Sequence, residues 1–278
     1  MNRVNPLLRL LTYLIAVLLA AAMLYPFVWM ISSSFKPTRE IFANTLQLIP
    51  DTPTVKAYID IAELGGIPIE RYVFNSIFIV TVSTFLSVIV SSLGAYAVHR
   101  RPRLPGFALL DRFFLVSIMY PYILLLMPVY VVMFRLGLLG TYAGIIIFLT
   151  LGPIQYYLFR EFFSKIPREV IESAQMDGAP EVGIFTRIVF PMARPVFLTA
   201  ILLTFILNWD NWFPVLVISS SMNTYTLTVA LFNLDTQLQV DFPAIMALST
   251  IVTLPIIVVF ILTQRTVIQG FAVGSVKG

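Results

Sequence analysis

Few of the 278 residues carry groups that could do chemistry. His99 is the single histidine and cysteine is absent. That excludes a multi-histidine metal centre, a two-histidine relay, a disulfide framework and a thiol nucleophile. No Gly-x-x-x-x-Gly-Lys-Ser/Thr phosphate loop occurs, so the chain does not hydrolyse ATP by that route. Two constellations remain. Asn208, Trp209, Asp210 and Asn211, followed by Trp212, place amide, carboxylate and aromatic groups side by side. Such groups hold sugars, and the same composition marks a membrane–water interface with no ligand at all. The second constellation is Glu172-Ser173-Ala174-Gln175-Met176-Asp177-Gly178-Ala179. Glu169, Glu172 and Gln175-Met176 fall on successive helical turns, and Asp177-Gly178 ends the helix because glycine accepts the left-handed cap conformation. No catalytic, cofactor-binding or metal-binding residue emerges.

The elements that carry these residues are membrane helices. The chain is 59% hydrophobic and 12% charged, with a mean hydropathy of +0.91; soluble domains average about 45–50% and about 25%. So little charge cannot coat a water-soluble globule, and so much apolar surface excludes disorder. An all-α, polytopic membrane protein is expected. A crossing needs roughly 20 apolar residues, and charge-free runs occur over Leu10–Phe35, Tyr72–Val98, Phe113–Phe134, Leu136–Phe159 and Phe242–Gln264. A sixth, Pro195–Trp209, is interrupted by Asp210 before Phe213–Ile218 resumes. The first run continues through Met30, beyond the roughly 7–15 residues of a signal peptide's apolar region, and is kept as a retained helix.

Six crossings put both termini on one side. Of the 18 lysines and arginines, only Lys36, Arg39, Lys56, Arg71 and Arg135 fall on the opposite side, so the positive-inside bias places both termini in the cytoplasm. The net charge of +4 and the Arg100, Arg101, Arg103 cluster therefore mark a helix end and not a nucleic-acid surface. His99 beside them is a headgroup-level residue.

Three connections exceed simple turns. Lys36–Arg71 and Trp209–Asp241 are external, and the stretch 160–194 is cytoplasmic. In the last, Pro167 restarts a helix ending at Asp177-Gly178, and a second short helix runs from Pro180 to Phe190, burying Val182, Phe185, Ile188 and Val189. Pro191 is expected to stop it and Pro195 to open the next crossing. Two helices with apolar faces need something to lie against: the membrane, the bundle or a partner protein.

The run Glu172–Ala179, with Phe185, Ile188, Pro191 and Pro195 downstream, resembles the EAA loop of permease subunits of binding-protein-dependent ABC importers. Ser173 departs from the alanine of the family pattern but keeps a small residue. Phe74-Asn75-Ser76-Ile77, Ser91–Ala97, Asn208-Trp209-Asp210, Val267–Gly270 and Gly274–Gly278 are similar to the carbohydrate branch, in particular the shorter, second permease of the maltose importer. The resemblance implies a type I ABC importer permease fold with an N-terminal crossing and external loop at 1–71, a five-helix core at 72–266 and a cytoplasmic tail at 267–278.

It also implies partners: a second, non-identical permease, two ATPase subunits that bind ATP and Mg, an extracytoplasmic solute-binding protein, a sugar and membrane lipid, with no cofactor in this chain. By the same resemblance Glu172 is the ionic contact to the ATPase, Ser173 and Ala174 permit close approach, Asp177-Gly178 form the turn beside Met176 and Ala179, and Phe185 and Ile188 secure the second helix. The tail residues Gly274, Ser275, Val276, Lys277 and Gly278 resemble a segment inserted toward the ATPase pair. Cargo is a sugar or oligosaccharide by branch, with glycerol phosphate or another polyol derivative as the alternative.

Other classes fit less well. An ion-coupled secondary transporter needs intramembrane acids or broken helices, and the charge-free runs offer little besides Asp210. A membrane-embedded enzyme needs clustered acids, bases or metal ligands, and a channel a filter motif. Within the membrane, Ser87, Ser91 and Ala95 repeat every four residues beside Gly94, a small-residue stripe for helix packing against the partner permease or the fifth crossing. Pro121, Pro128, Pro153 and Pro255 interrupt helical hydrogen bonding and mark hinges or fixed kinks.

Overall fold

The computed structural model describes residues 6–102, 104–235 and 241–275, with side chains described except at 235 and 265–275. In chain order the helices are α1 (Pro6–Ser33), α2 (Thr38–Ala43) and α3 (Lys56–Asp60), then the two-residue strands β1 (Glu63–Leu64) and β2 (Ile67–Pro68). After this antiparallel hairpin come α4 (Ile69–Arg100), α5 (Phe107–Met119), α6 (Tyr122–Arg135), α7 (Tyr142–Thr150), α8 (Pro153–Phe163) and α9 (Arg168–Met176). The remainder is α10 (Glu181–Asp210), α11 (Trp212–Ile218), α12 (Leu227–Asp235) and α13 (Phe242–Ser275). Among the described residues four helices are long and apolar enough to cross a membrane, and two bent pairs raise this to six if each pair is one crossing.

Both bent pairs correct the expectation of uninterrupted runs. At Phe113–Phe134 the chain turns by 115° between α5 and α6. Tyr120, which precedes Pro121, is extended (φ −91°, ψ 126°) because the proline ring excludes the helical region for its predecessor. Pro128, by contrast, sits inside α6. The α7–α8 pair bends by 41°, with Pro153 at the start of α8.

The contacts divide the chain into two compact units, one of Met1–Ile69 with Ala230–Leu254, the other of Glu70–Val229 with Pro255–Gly278. In the first, the apolar stretch of α1 has no buried residue, as expected of a helix solvated by lipid. Its last turns, and Lys36 just beyond them, carry polar side chains that satisfy the carbonyls of residues 45–48. Tyr25 donates to Leu46 O, Trp29 Nε1 to Thr45 O, Ser32 to Leu48 O and the buried Lys36 to Gln47 O. Glu40 in α2 accepts from the Asp51 and Thr52 amides and the Thr52 hydroxyl. The segment after α1 is thus an organised cap with two short helices and a hairpin.

The second unit is built on α4. Asn75, wholly buried, donates to Asn223 O at 2.9 Å and Tyr225 O at 2.8 Å and accepts from Tyr142 at 2.7 Å. Ser76 accepts from the Leu227 amide. The small-residue stripe does pack, but against the α7–α8 joint: Ser91 donates to Gly152 O, and a Cβ at Gly94 would touch the Tyr156 ring. The fifth crossing meets α4 one turn away from the stripe, through Asn208 and Ser83. Toward the other end of α4, Tyr96, Tyr156, Phe159, Phe163 and Phe197 belong to one buried aromatic core, on which the elbow rests.

Candidate coupling elbow

Residues 164–190, from the end of α8 through the first turns of α10, form a helical elbow. Its first arm, α9, has two faces. Ile171 and Ala174 are buried in the core with Ile166 and Phe163. Glu169, Glu172, Ser173 and Met176 are exposed, Met176 at 88%. The arm closes in a Schellman arrangement: the Gly178 amide donates to Gln175 O and the Ala179 amide to Ala174 O, both at 3.0 Å. Gly178 has φ +78°, with nothing within 4 Å of where a Cβ would lie. The constraint there is torsional, not steric crowding from neighbours.

The second arm does not stop. Instead of a short helix ended by Pro191, α10 runs through Pro191 and Pro195 to Asp210. Its continuity depends on a π turn at Phe185–Val189, in which the Phe190 amide bonds to Phe185 O five residues back. The extra residue changes which side chains face inward. Ile184, Val189, Ala193, Phe197 and Ala200 are buried, while Phe185 and Ile188 are half-buried. Val182, expected inside, is 74% exposed because the inward phase is set by Ile184.

Two polar clusters fix the elbow and its base. Glu181, at the start of α10, accepts from Arg100 Nε at 2.7 Å and from the Tyr96 hydroxyl at 3.1 Å. Asp111 in α5 accepts from Arg160 at 2.6 and 2.8 Å, a bidentate pair, and from the Tyr156 hydroxyl at 3.0 Å. The sequence reading missed both. Each cation stands near the C-terminal end of its helix, a dipole-favoured place, but nothing local to Arg100 announces a partner 81 positions later.

At the opposite end of α10 the four outer-mouth candidates separate. Asn208 is buried and donates to Ser83 Oγ at 3.1 Å and Leu149 O at 3.4 Å, so its amide serves the bundle. Trp209 is buried and stacks on Phe205. Asp210 is exposed and Asn211 half-exposed, in the break between α10 and α11. Of the tail, Gly274 and Ser275 end α13 with their side chains outside the described residues, and Val276, Lys277 and Gly278 lie outside them altogether. No cluster of metal-ligating side chains is present among the described residues.

This geometry gives a rigidly seated elbow with an outward face that has no partner within the described chain, and no reacting constellation. The arabinooligosaccharides transport system permease protein AraQ of Halalkalibacterium halodurans is 30% identical over 282 residues, covering 100% of this chain and 99% of that protein. The trehalose transport system permease protein SugB of Mycobacterium tuberculosis is 33% identical over 259 residues, 92% of this chain and 93% of that one. Among solved structures, a chain of a bacterial ABC transporter involved in the import of the acidic polysaccharide alginate superposes with a TM-score of 0.78 at 23% identity, covering 95% of this chain and 98% of that one. This likeness shows the type I importer permease fold. Residues 87–272 match the family described as binding-protein-dependent transport system inner membrane component. The chain belongs to that family: it is a multi-pass membrane permease subunit of an ABC importer, a transport component and not an enzyme.

Proposed function

We propose that this chain forms half of an alternating-access pathway for a sugar or oligosaccharide, paired with a second, non-identical permease. The cargo reading is supported by relatives named for arabinooligosaccharides and trehalose. Two ATPase subunits bind ATP and Mg on the side of the elbow, where both termini also lie, and a solute-binding protein delivers the cargo on the other side. The C-terminal tail reaches toward the ATPase pair. Asp210 and Asn211, the accessible members of the outer group, face the delivered solute.

One observation carries the coupling role: α9 is held from within and bare without. Ile171, Ala174 and the Glu181–Arg100 pair fasten the elbow to the core, while Glu172, Ser173 and Met176 project outward. A lever needs both properties, a stiff attachment and a free grip. Glu172 supplies the ionic contact to a base on the ATPase, and Met176 with Val182 gives the apolar part. Closure of the ATPase pair on ATP drags the elbow, and α10 moves with it, because the docked ligand state stabilises one conformation over the other.

Removing one partner of a charge pair buried by docking costs roughly 3–5 kcal/mol. Glu172→Lys therefore leaves the protein inserted and folded but abolishes transport-coupled ATP turnover. Reconstituted vesicles, with solute uptake and phosphate release measured together, provide the check. Wild-type coupled turnover in that variant would refute the role.

A further inference from the structure

Beside the elbow is a cavity of about 880 Å³ whose lining includes Glu172 but whose arginines the lever mechanism does not use. It lies within the second unit, where α4 ends, α5 begins and α8 gives way to α9. Among the described residues four arginines line it: Arg100, Arg101, Arg160 and Arg168. Two are neutralised, Arg100 by Glu181 and Arg160 by Asp111. Arg101 and Arg168 are exposed and form no ion pair among the described residues. Two guanidiniums free of ion pairs thus line one concavity, and a phosphate is the anion that such planar forks bind in bidentate fashion.

The same cavity has an apolar edge formed by Leu104 and Ala108. From there α5, none of whose residues is buried, presents Leu109, Phe113 and Val116 outward along a helix of membrane character. A soluble phosphate would engage the arginines and leave that track unused. A lipid would use both. We infer that the cavity binds the headgroup phosphate of an anionic phospholipid, with an acyl chain laid along α5. Arg168 is the first residue of α9 and Glu172 lies one turn later at the same cavity, so the bound headgroup buttresses the root of the elbow. The site requires only a bilayer, so it stands or falls separately from the ATPase contact of Glu172.

The test is lipid retention by the full chain, purified with whatever subunits accompany it, followed by native mass spectrometry after titration with phosphatidylglycerol or phosphatidylcholine. Phosphatidylglycerol is expected to be retained in preference. Replacing Arg101 and Arg168 together by Gln should weaken it roughly thirtyfold, from about a fivefold loss for each surface charge removed. Replacing both by Lys, which keeps the charge but loses the fork, should weaken it less than the Gln pair does, and Arg9→Gln, a cation on α1, should leave it unchanged. Glycerol phosphate at millimolar concentration should fail to displace the lipid. Equal retention of the two lipids, unchanged affinity in the double Gln variant, or an equal loss in Arg9→Gln would overturn the site. Displacement by glycerol phosphate would overturn the lipid assignment and make the cavity a site for soluble phosphates.

Discussion

At the scale of single residues, this chain uses its scarce polar groups as ties. Asn75 makes its amide bonds to two loop carbonyls and a tyrosine hydroxyl, and Asn208 bridges to Ser83 and Leu149. Unpaired, such groups would cost several kcal/mol each in an apolar surround. Glu40 is the tie with a titration. The Asp51 amide chiefly, and Thr52, hold its carboxyl below the ordinary 4.5. A lowered value means the bond stabilises the folded cap above pH 4.5, and that this contribution is lost as pH falls through the depressed value. Protection of the Asp51 and Thr52 amides from hydrogen exchange, taken against the intrinsic rate at each pH, should therefore be high at neutral pH and fall in acid. Glu40→Gln should flatten that dependence, whereas an unchanged profile would place the stabilisation elsewhere. The position of Asn208 was legible in the sequence, but its inward bonds were not. The same amide beside the same tryptophan suits an interface, a sugar or a helix contact, and only the neighbours decide.

At the scale of elements, local turn chemistry was legible and helix phase was not. Asp177-Gly178 as the end of α9 follows from the left-handed cap alone, and the Schellman bonds realise it. A β-branched residue there meets no neighbour, so Gly178→Val should cost only the torsional term, on the order of 1–2 kcal/mol. Gly178→Asn, which tolerates that region, should cost visibly less. Thermal unfolding in detergent checks the order, and equal losses would show that the turn is not torsionally limited. Val182 escaped the reading for a different reason. A 3.6-residue period links it to Phe185 and Val189, but the inward residues step from Ile184 to Val189 across a π turn. Pro121 and Pro128 give a similar lesson. Both interrupt one apolar run, yet only the first breaks it. A membrane helix accepts an interior proline when neighbours re-satisfy its backbone, and those neighbours are not written beside it.

At the scale of the whole molecule, the apolar composition and the helix lengths already dictated a six-crossing reading, and the family match at 87–272 gives the chain its class. The Arg100–Glu181 and Asp111–Arg160 pairs were invisible because each joins segments far apart in the chain. A consequence follows from the single helix between the elbow and Asn208. Its π turn contains one residue more than ordinary winding requires, so a deletion there should heal in place. Without Thr186, the backbone can close to regular 3.6-residue turns while both flanks keep their bearings. The same excision at Leu203 would swing Asn208 about 100° away from Ser83. Since the protein has no cysteine of its own, an engineered Ser83→Cys, Asn208→Cys pair can report the difference. The crosslink should survive the first deletion and vanish with the second.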